Sequence, residues 1–143
     1  MTRVDFYVLG QDSDQARLVL ACRIAEKAML RDQRVFIHSD PADARRLDEL
    51  LWTFSQGSFV PHRVVAGADA AAAPEPVLIG TGECPAAEHW EVLINLADEV
   101  PEFFSRYERV VEPVDANPVR RQASRERYKF YRDRGYPLST HQL

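Results

Sequence analysis

Two strand-forming runs, each followed by an amphipathic helical stretch, open the chain and constrain its fold more than any other feature. Val4, Phe6 and Val8 belong to a β-branched and aromatic run that stops at Gly10, the pattern of a buried strand. Asp12 or Ser13 then supplies an N-cap, and Leu18, Ala21, Cys22, Ala25 and Met29 recur at helical spacing to form one apolar face. Val35-Phe36-Ile37-His38 reads as the second strand. Asp40-Pro41 caps a second helix that carries Leu47, Leu50 and Leu51 on one face and ends near Trp52. A β-α-β-α opening of this kind leads to a mainly parallel sheet with helices on both faces, since a parallel crossover needs a helix and packs right-handed.

The remainder extends the same pattern. A short Val64-Val65 run gives way to an Ala-rich stretch at about 66–76, which lacks the bulk for a core and reads as an exposed loop. Val77-Leu78-Ile79 and Val92-Leu93-Ile94-Asn95-Leu96 are apolar runs suited to buried strands. Pro101 opens a predicted short helix through Tyr107. Arg109 to Val114 is the last strand candidate, with Pro113 marking its end or an edge position. Asn117-Pro118 caps a basic helix at about 118–134 that Gly135 terminates, and the tail beyond is expected to be extended and partly docked by Tyr136 and Leu138. With 143 residues and no internal repeat, residues 1–143 are expected to form a single α/β domain of three layers.

Layering of this sort is Rossmann-like, yet the residues that would hold a dinucleotide are missing. The first strand-helix turn reads Leu9-Gly10-Gln11-Asp12-Ser13, without the glycines that let a backbone approach pyrophosphate. Asp12 and Asp14 would repel a phosphate there. Gly80-Thr81-Gly82 runs toward Pro85 and is a weak match. The histidines, His38, His62, His89 and His141, lack metal-ligand spacing, and Cys22 and Cys84 are far apart and read as structural thiols. No Gly-x-Ser-x-Gly elbow is present. We therefore expect no cofactor, no metal and no catalytic residues.

Composition narrows the function further. With 45% hydrophobic and 28% charged residues, the chain has neither the signature of disorder nor an apolar run able to span a bilayer. Its N-terminus enters a strand directly, without signal-peptide character, so a cytoplasmic location is expected. The formal net charge of −4 conceals a basic segment. Residues 118–134 hold Arg120, Arg121, Arg125, Arg127, Lys129, Arg132 and Arg134 against only Glu126 and Asp133. Because salt screens charges beyond about 8 Å, a distant acidic surface does not cancel this one.

Two stretches invite a partner. Trp52, Phe54 and Phe59 fall where a helix yields to a loop, as core anchors or as a recognition patch. On the basic helix, Arg121, Arg125, Tyr128 and Arg132 share one stripe. A solvated charged face, with Val119, Ala123, Phe130 and Tyr131 packed inward, is one reading of it. Phosphate contacts with nucleic acid and capture of an acidic peptide by bidentate arginine bonds are the functional ones.

The run Leu47-Asp48-Glu49-Leu50-Leu51-Trp52 is followed by the block Ser58-Phe59-Val60-Pro61-His62. Together with the opening Val4 to Leu9 and the late Arg125 to Arg132, they resemble the chi subunit family of bacterial DNA polymerase III holoenzyme. That resemblance implies a non-catalytic accessory subunit of the clamp-loader complex, monomeric when isolated and acting in the bacterial cytoplasm at the replication fork. It implies that Trp52 and Phe59 hold the psi subunit, with a repair helicase as a further candidate for the same site. It also implies that Arg121 and Arg125, with Val114 and Tyr128, hold the acidic C-terminal tail of single-stranded DNA-binding protein. Arg121 departs from the lysine usual in the best-known relatives. The alternative is a nucleic-acid-binding domain using the basic helix directly, and a small-molecule enzyme comes third.

Overall fold

A computed structural model describes residues 1–66, 73–82 and 90–143. Cys84, His89 and most of the Ala-rich stretch lie outside these residues. Seven strands form one sheet: β1 (Arg3–Val8), β2 (Val35–His38), β3 (His62–Val64), β4 (Val77–Gly80), β5 (Trp90–Asn95), β6 (Tyr107–Val114) and β7 (Leu138–Gln142). Their order is β3-β4-β2-β5-β6-β1-β7, and every pairing is parallel. Among the described residues three α-helices cover the sheet: α1 (Asp14–Met29), α2 (Pro41–Thr53) and α3 (Pro118–Asp133).

The helices start where local chemistry directs. Ser13, not Asp12, caps α1 by accepting from the Ala16 N–H. Asp40 caps α2 and Asn117 caps α3, each with proline in the first turn. Gly135 follows α3 at φ +81°, the left-handed position that glycine occupies without steric cost.

One cluster of buried side chains lies between the sheet and α1 with α2, built from Leu18, Ala21, Cys22, Ala25, Leu47 and Leu51 against Val35, Ile37, Ile79, Val92 and Ile94. A second lies on the opposite face, where Phe6, Phe36, Leu93, Val110 and Tyr131 of α3 meet. Central strands buried on both faces explain the unbroken apolar runs of β2, β4 and β5. Each large aliphatic side chain so buried contributes about 1.5 to 3 kcal/mol.

Several expectations need correction. The tail is extended as expected, with Tyr136 and Leu138 packed on the second cluster, but it is also a seventh strand, so Arg109 to Val114 is not the last: it pairs in register with β1 from Val4↔Leu138 to Val8↔Gln142. Pro101 opens no helix through Tyr107: only Phe104–Arg106 form a 3-10 turn, and Tyr107 already begins β6. The third strand begins at His62 and ends at Val64, with Val65 beyond it. Ala73, at the end of the Ala-rich stretch, is buried in the second cluster instead of being exposed. Val119 is 77% exposed, so it is no inward anchor of α3. Pro113 does mark the end of its strand, standing one residue from the end of β6 and past the last β5 pairing at Ile94↔Val111, where its missing N–H is tolerated.

Candidate functional site

Two surfaces of different character lie at opposite edges of the sheet. The first is built where α2 ends over β3. Leu51 turns fully inward, so Trp52, one residue on, turns out and is 52% exposed. Gly57 at φ +82° lets the chain double back, Val60 is buried as its anchor, and Phe59 between them is 67% exposed. The Trp52 and Phe59 rings stand 5.9 Å apart, and Trp52 rests on the His62 ring at 4.4 Å. His62 is fixed in turn, with Nδ1 2.7 Å from the Val60 carbonyl and Nε2 3.0 Å from that of Asp48. Phe54 is half-buried against the first cluster, which separates it from the exposed pair. A concavity of about 520 Å³ lined by Gln15, Arg46, Glu49, Leu50, Trp52 and Thr53 adjoins the patch.

The second surface is α3, whose inner face is held by a buried carboxylate. Glu112 of β6 is fully buried and accepts from Arg127 Nε at 2.9 Å, Tyr131 OH at 2.8 Å and Asn95 Nδ2 at 3.0 Å. Arg127 also donates to the Asp98 carbonyl. Burial and the adjacent carboxylate push the Tyr131 phenol far above its ordinary range, so it remains a donor. Near the helix start, Arg120 forms a two-pronged pair with the buried Asp115 at 2.8 and 2.6 Å.

The outer stripe is held differently. Arg121 donates to the main-chain carbonyls of Asp115 at 3.2 Å and Leu9 at 3.1 Å, and Arg125 reaches only Gln122 at 3.5 Å. Among the described residues neither has a carboxylate within salt-bridge distance, whereas Lys129 and Arg132 have Glu126 and Asp133. Tyr128 is half-buried, its ring 5.4 Å from that of Phe6. Val114 belongs to the same cluster and is 3% exposed, which makes it part of the floor and not of the rim. Val114, Tyr128 and Arg121 thus gather around the end of β1, while Arg125 stands beside them on the same face of the helix, exposed to solvent.

At the carboxyl ends of the strands, where a doubly wound sheet binds its ligands, ion pairs fill the first turn. Arg17 bridges Asp14 and Asp43 at 3.0 Å each, Arg46 joins the same two acids, and Arg120 approaches Asp12 and Asp14. Burial raises the Asp14 and Asp115 carboxyls, but arginine hydrogen bonds and charge outweigh it and hold both below the usual carboxylate range. For Asp43 burial prevails and the shift is upward. A phosphate at this turn would meet acids already satisfied by arginines. A separate concavity of about 680 Å³ lies beside His38, Phe103 and Arg106, where burial holds His38 below its ordinary pKa and therefore neutral near pH 7. Among the described residues no group of three or more His, Cys, Asp or Glu side chains could hold a metal ion. Among the described residues no helix is long and apolar enough to cross a membrane.

Sequence reading missed the Glu112 clamp. Its signal was present, since Glu112 is an acid inside the apolar run Val110-Val111-Glu112-Pro113-Val114. A charge in a strand buried on both faces demands partners.

A family profile described as DNA polymerase III chi subunit, HolC, matches residues 1–139. The chain is 46% identical over 144 residues to a DNA polymerase III subunit chi of Pseudomonas aeruginosa, covering 100% of this chain and 98% of the relative. It is 33% identical over 145 residues to the DNA polymerase III subunit chi of Escherichia coli strain K12, covering 98% and 97%. To that of Haemophilus influenzae it is 29% identical over 136 residues, covering 94% and 93%.

Proposed function

The chain belongs to the DNA polymerase III chi subunit family, an accessory role in DNA replication, and from that premise we propose that it is a non-catalytic bridge within the clamp-loader complex. In this reading Trp52 and Phe59 dock the psi subunit, and the stripe around Arg121, Arg125 and Tyr128, floored by Val114, captures the acidic C-terminal tail of single-stranded DNA-binding protein. The protein is a cytoplasmic monomer when alone, and a repair helicase that used the same aromatic patch would compete with psi.

One observation carries the proposal: the exposed aromatic pair lies at the β3 edge and the carboxylate-free arginines at the β1 and β7 edge. At about 4.8 Å per strand the two surfaces are roughly 25 Å apart, enough for two partners to be held at once. Direct nucleic-acid binding fits less well. Four of the seven cations on the basic segment, Arg120, Arg127, Lys129 and Arg132, are already paired with carboxylates, which lowers the field a polyanion would feel.

The test is a double-mutant cycle with a synthetic acidic peptide ending in phenylalanine, with its terminal carboxylate free or amidated. Amidation removes one charge-assisted contact, worth roughly 1.5 to 3 kcal/mol, so affinity should fall about tenfold or more. Arg125→Ala should cost as much with the free peptide and almost nothing further with the amidated one. Unchanged affinity on amidation, or equal losses for peptide and single-stranded DNA, would make the stripe a general anion surface.

A further inference from the structure

Among the described residues the tail strand leaves one side of its backbone unused. Val4 N–H donates to the Pro137 carbonyl and Leu143 N–H to that of Val8, so the ladder to β1 uses the groups of Ser139, His141 and Leu143. In a parallel pair the N–H and C=O of one residue point the same way and successive residues alternate. The N–H and C=O groups of Leu138, Thr140 and Gln142 therefore point away from β1, and β7 is the last strand of the sheet. No proline or lysine inside β7 blocks that edge, although such residues are the usual protection of an exposed strand.

What fits it follows from the helix beside it. α3 turns Arg127 toward Glu112 and Asp98 on the β5 and β6 side, and turns Arg121 and Tyr128 toward Leu9 and Phe6 of β1. Phe6 is paired in register with Thr140. The stripe thus overlooks the outer edge, and its spacing suits an extended chain. Arg121 and Arg125, four residues apart on a helix, are separated by a rise of about 6 Å. Alternate residues of a strand, which share a face, are about 6.7 Å apart. From Arg121 to Arg132 the stripe covers about 16 Å, close to the length of the five-residue β7. On the other face of β7, His141 stacks on Tyr7 at 4.5 Å and stands 3.1 Å from Asp5, whose carboxylate is paired with Arg109 at 2.7 Å, so this acid is not left bare toward an incoming carboxylate.

We propose that the outer edge of β7 takes up an acidic peptide as an added strand, with the terminal carboxylate meeting Arg125 and an aspartate at an alternate position meeting Arg121. This rests on the reading of α3 as an acidic-tail site and specifies how the tail lies: main-chain hydrogen bonds to Leu138, Thr140 and Gln142 supply affinity, and the arginine spacing selects the pattern.

The experiment uses the full chain and a synthetic peptide with aspartates at alternate positions and a C-terminal phenylalanine carboxylate. Two N-methylated versions block opposite sets of peptide amides without altering charge. One set should weaken binding tenfold or more and the other should leave it nearly unchanged. Amide exchange at Thr140 and Gln142 should slow on binding. Thr140→Pro removes only an outward N–H and should reproduce the tenfold loss, with little change in stability. If both methylated peptides bind like the parent while Arg125→Ala still weakens all three, strand addition is wrong and tail capture stands. Failure of the parent peptide to bind removes both. Protection of Thr140 without peptide, rising with protein concentration alongside a dimer in light scattering, would assign the edge to a second copy and overturn the proposal.

Discussion

Glu112→Ala should be among the most damaging single substitutions available to this chain, and its cost follows from three donors that share one carboxylate. Arg127 would keep the Asp98 carbonyl, and Asn95 would keep that of Glu99 at 3.2 Å, but the Tyr131 hydroxyl would lose its acceptor. A buried hydroxyl left unpaired costs about 1 to 3 kcal/mol, and breaking a buried ion pair about 3 to 5 kcal/mol. These overlap, and about 4 kcal/mol is the middle of the expected range. Against a total stability of about 5 to 15 kcal/mol, that is a large fraction. Urea unfolding measures it: with a slope near 2 kcal/mol per molar, the midpoint should fall by about 2 M at unchanged slope. Glu112→Ala combined with Arg127→Met should be less damaging than the two single costs predict, because the second change removes the stranded cation, with a coupling of about 1 to 3 kcal/mol. A midpoint shift under about 0.5 M, or strict additivity, would mean that the carboxylate is not what fastens α3 to the sheet.

Trp52→Ala and Phe59→Ala should each weaken psi binding by more than about 1 kcal/mol while unfolding nearly as the parent does; a stability loss of ~3 to 5 kcal/mol would return that residue to the core. Asp115 should make its stabilising contribution at neutral pH and lose it in acid. Its carboxyl sits below the range near 3.9 that it has when unfolded, so the contribution is full above that range and fades as pH falls through the folded value. Stability curves for Asp115→Asn should therefore be flatter in acid than those of the parent, and parallel curves would contradict the shift. Gly80→Ala would put a Cβ 2.7 Å from two atoms of the fully buried Phe36 ring, and thermal unfolding should register a loss of about 1 to 3 kcal/mol. Light scattering of the isolated chain should give a monomer, and a dimer burying Trp52 and Phe59 would mark that patch as a self-association surface.

The parts of the fold that were legible in the sequence are those where local and global preferences agree. Asp40-Pro41, Asn117-Pro118 and Gly135 punctuate helices by rules confined to a few residues, and each does so in the structure. The extended tail was legible from Tyr136 and Leu138 but its pairing was not, because Leu138 to Gln142 has one apolar residue and is a strand on account of the edge that β1 offers. Pro101 misled because an N-terminal proline licenses a helix without ensuring one, and Phe104 and Tyr107 are drawn into the second cluster instead. At the basic helix, periodicity found the stripe but not the division of labour within it. Arg120 and Arg127 look like Arg121 and Arg125 in sequence, and only Asp115 and Glu112, brought in from β6 and its end, tell them apart.

The position of β1 carries a consequence for how the protein is made. It comprises residues 3–8, yet its two neighbours are β6 at residues 107–114 and β7 at residues 138–142. β1 therefore waits for partners that lie far downstream in the chain. During translation β2, β4 and β5 can pair while β1 remains unclaimed until β6 has emerged, and the other edge of β1 stays open until β7 follows α3. Such distant pairing is slow because a long loop must close before any contact rewards it. Until β6 arrives Val4 and Phe6 are exposed on an unpaired strand, which makes the nascent chain most prone to aggregation before residues 107–114 have emerged.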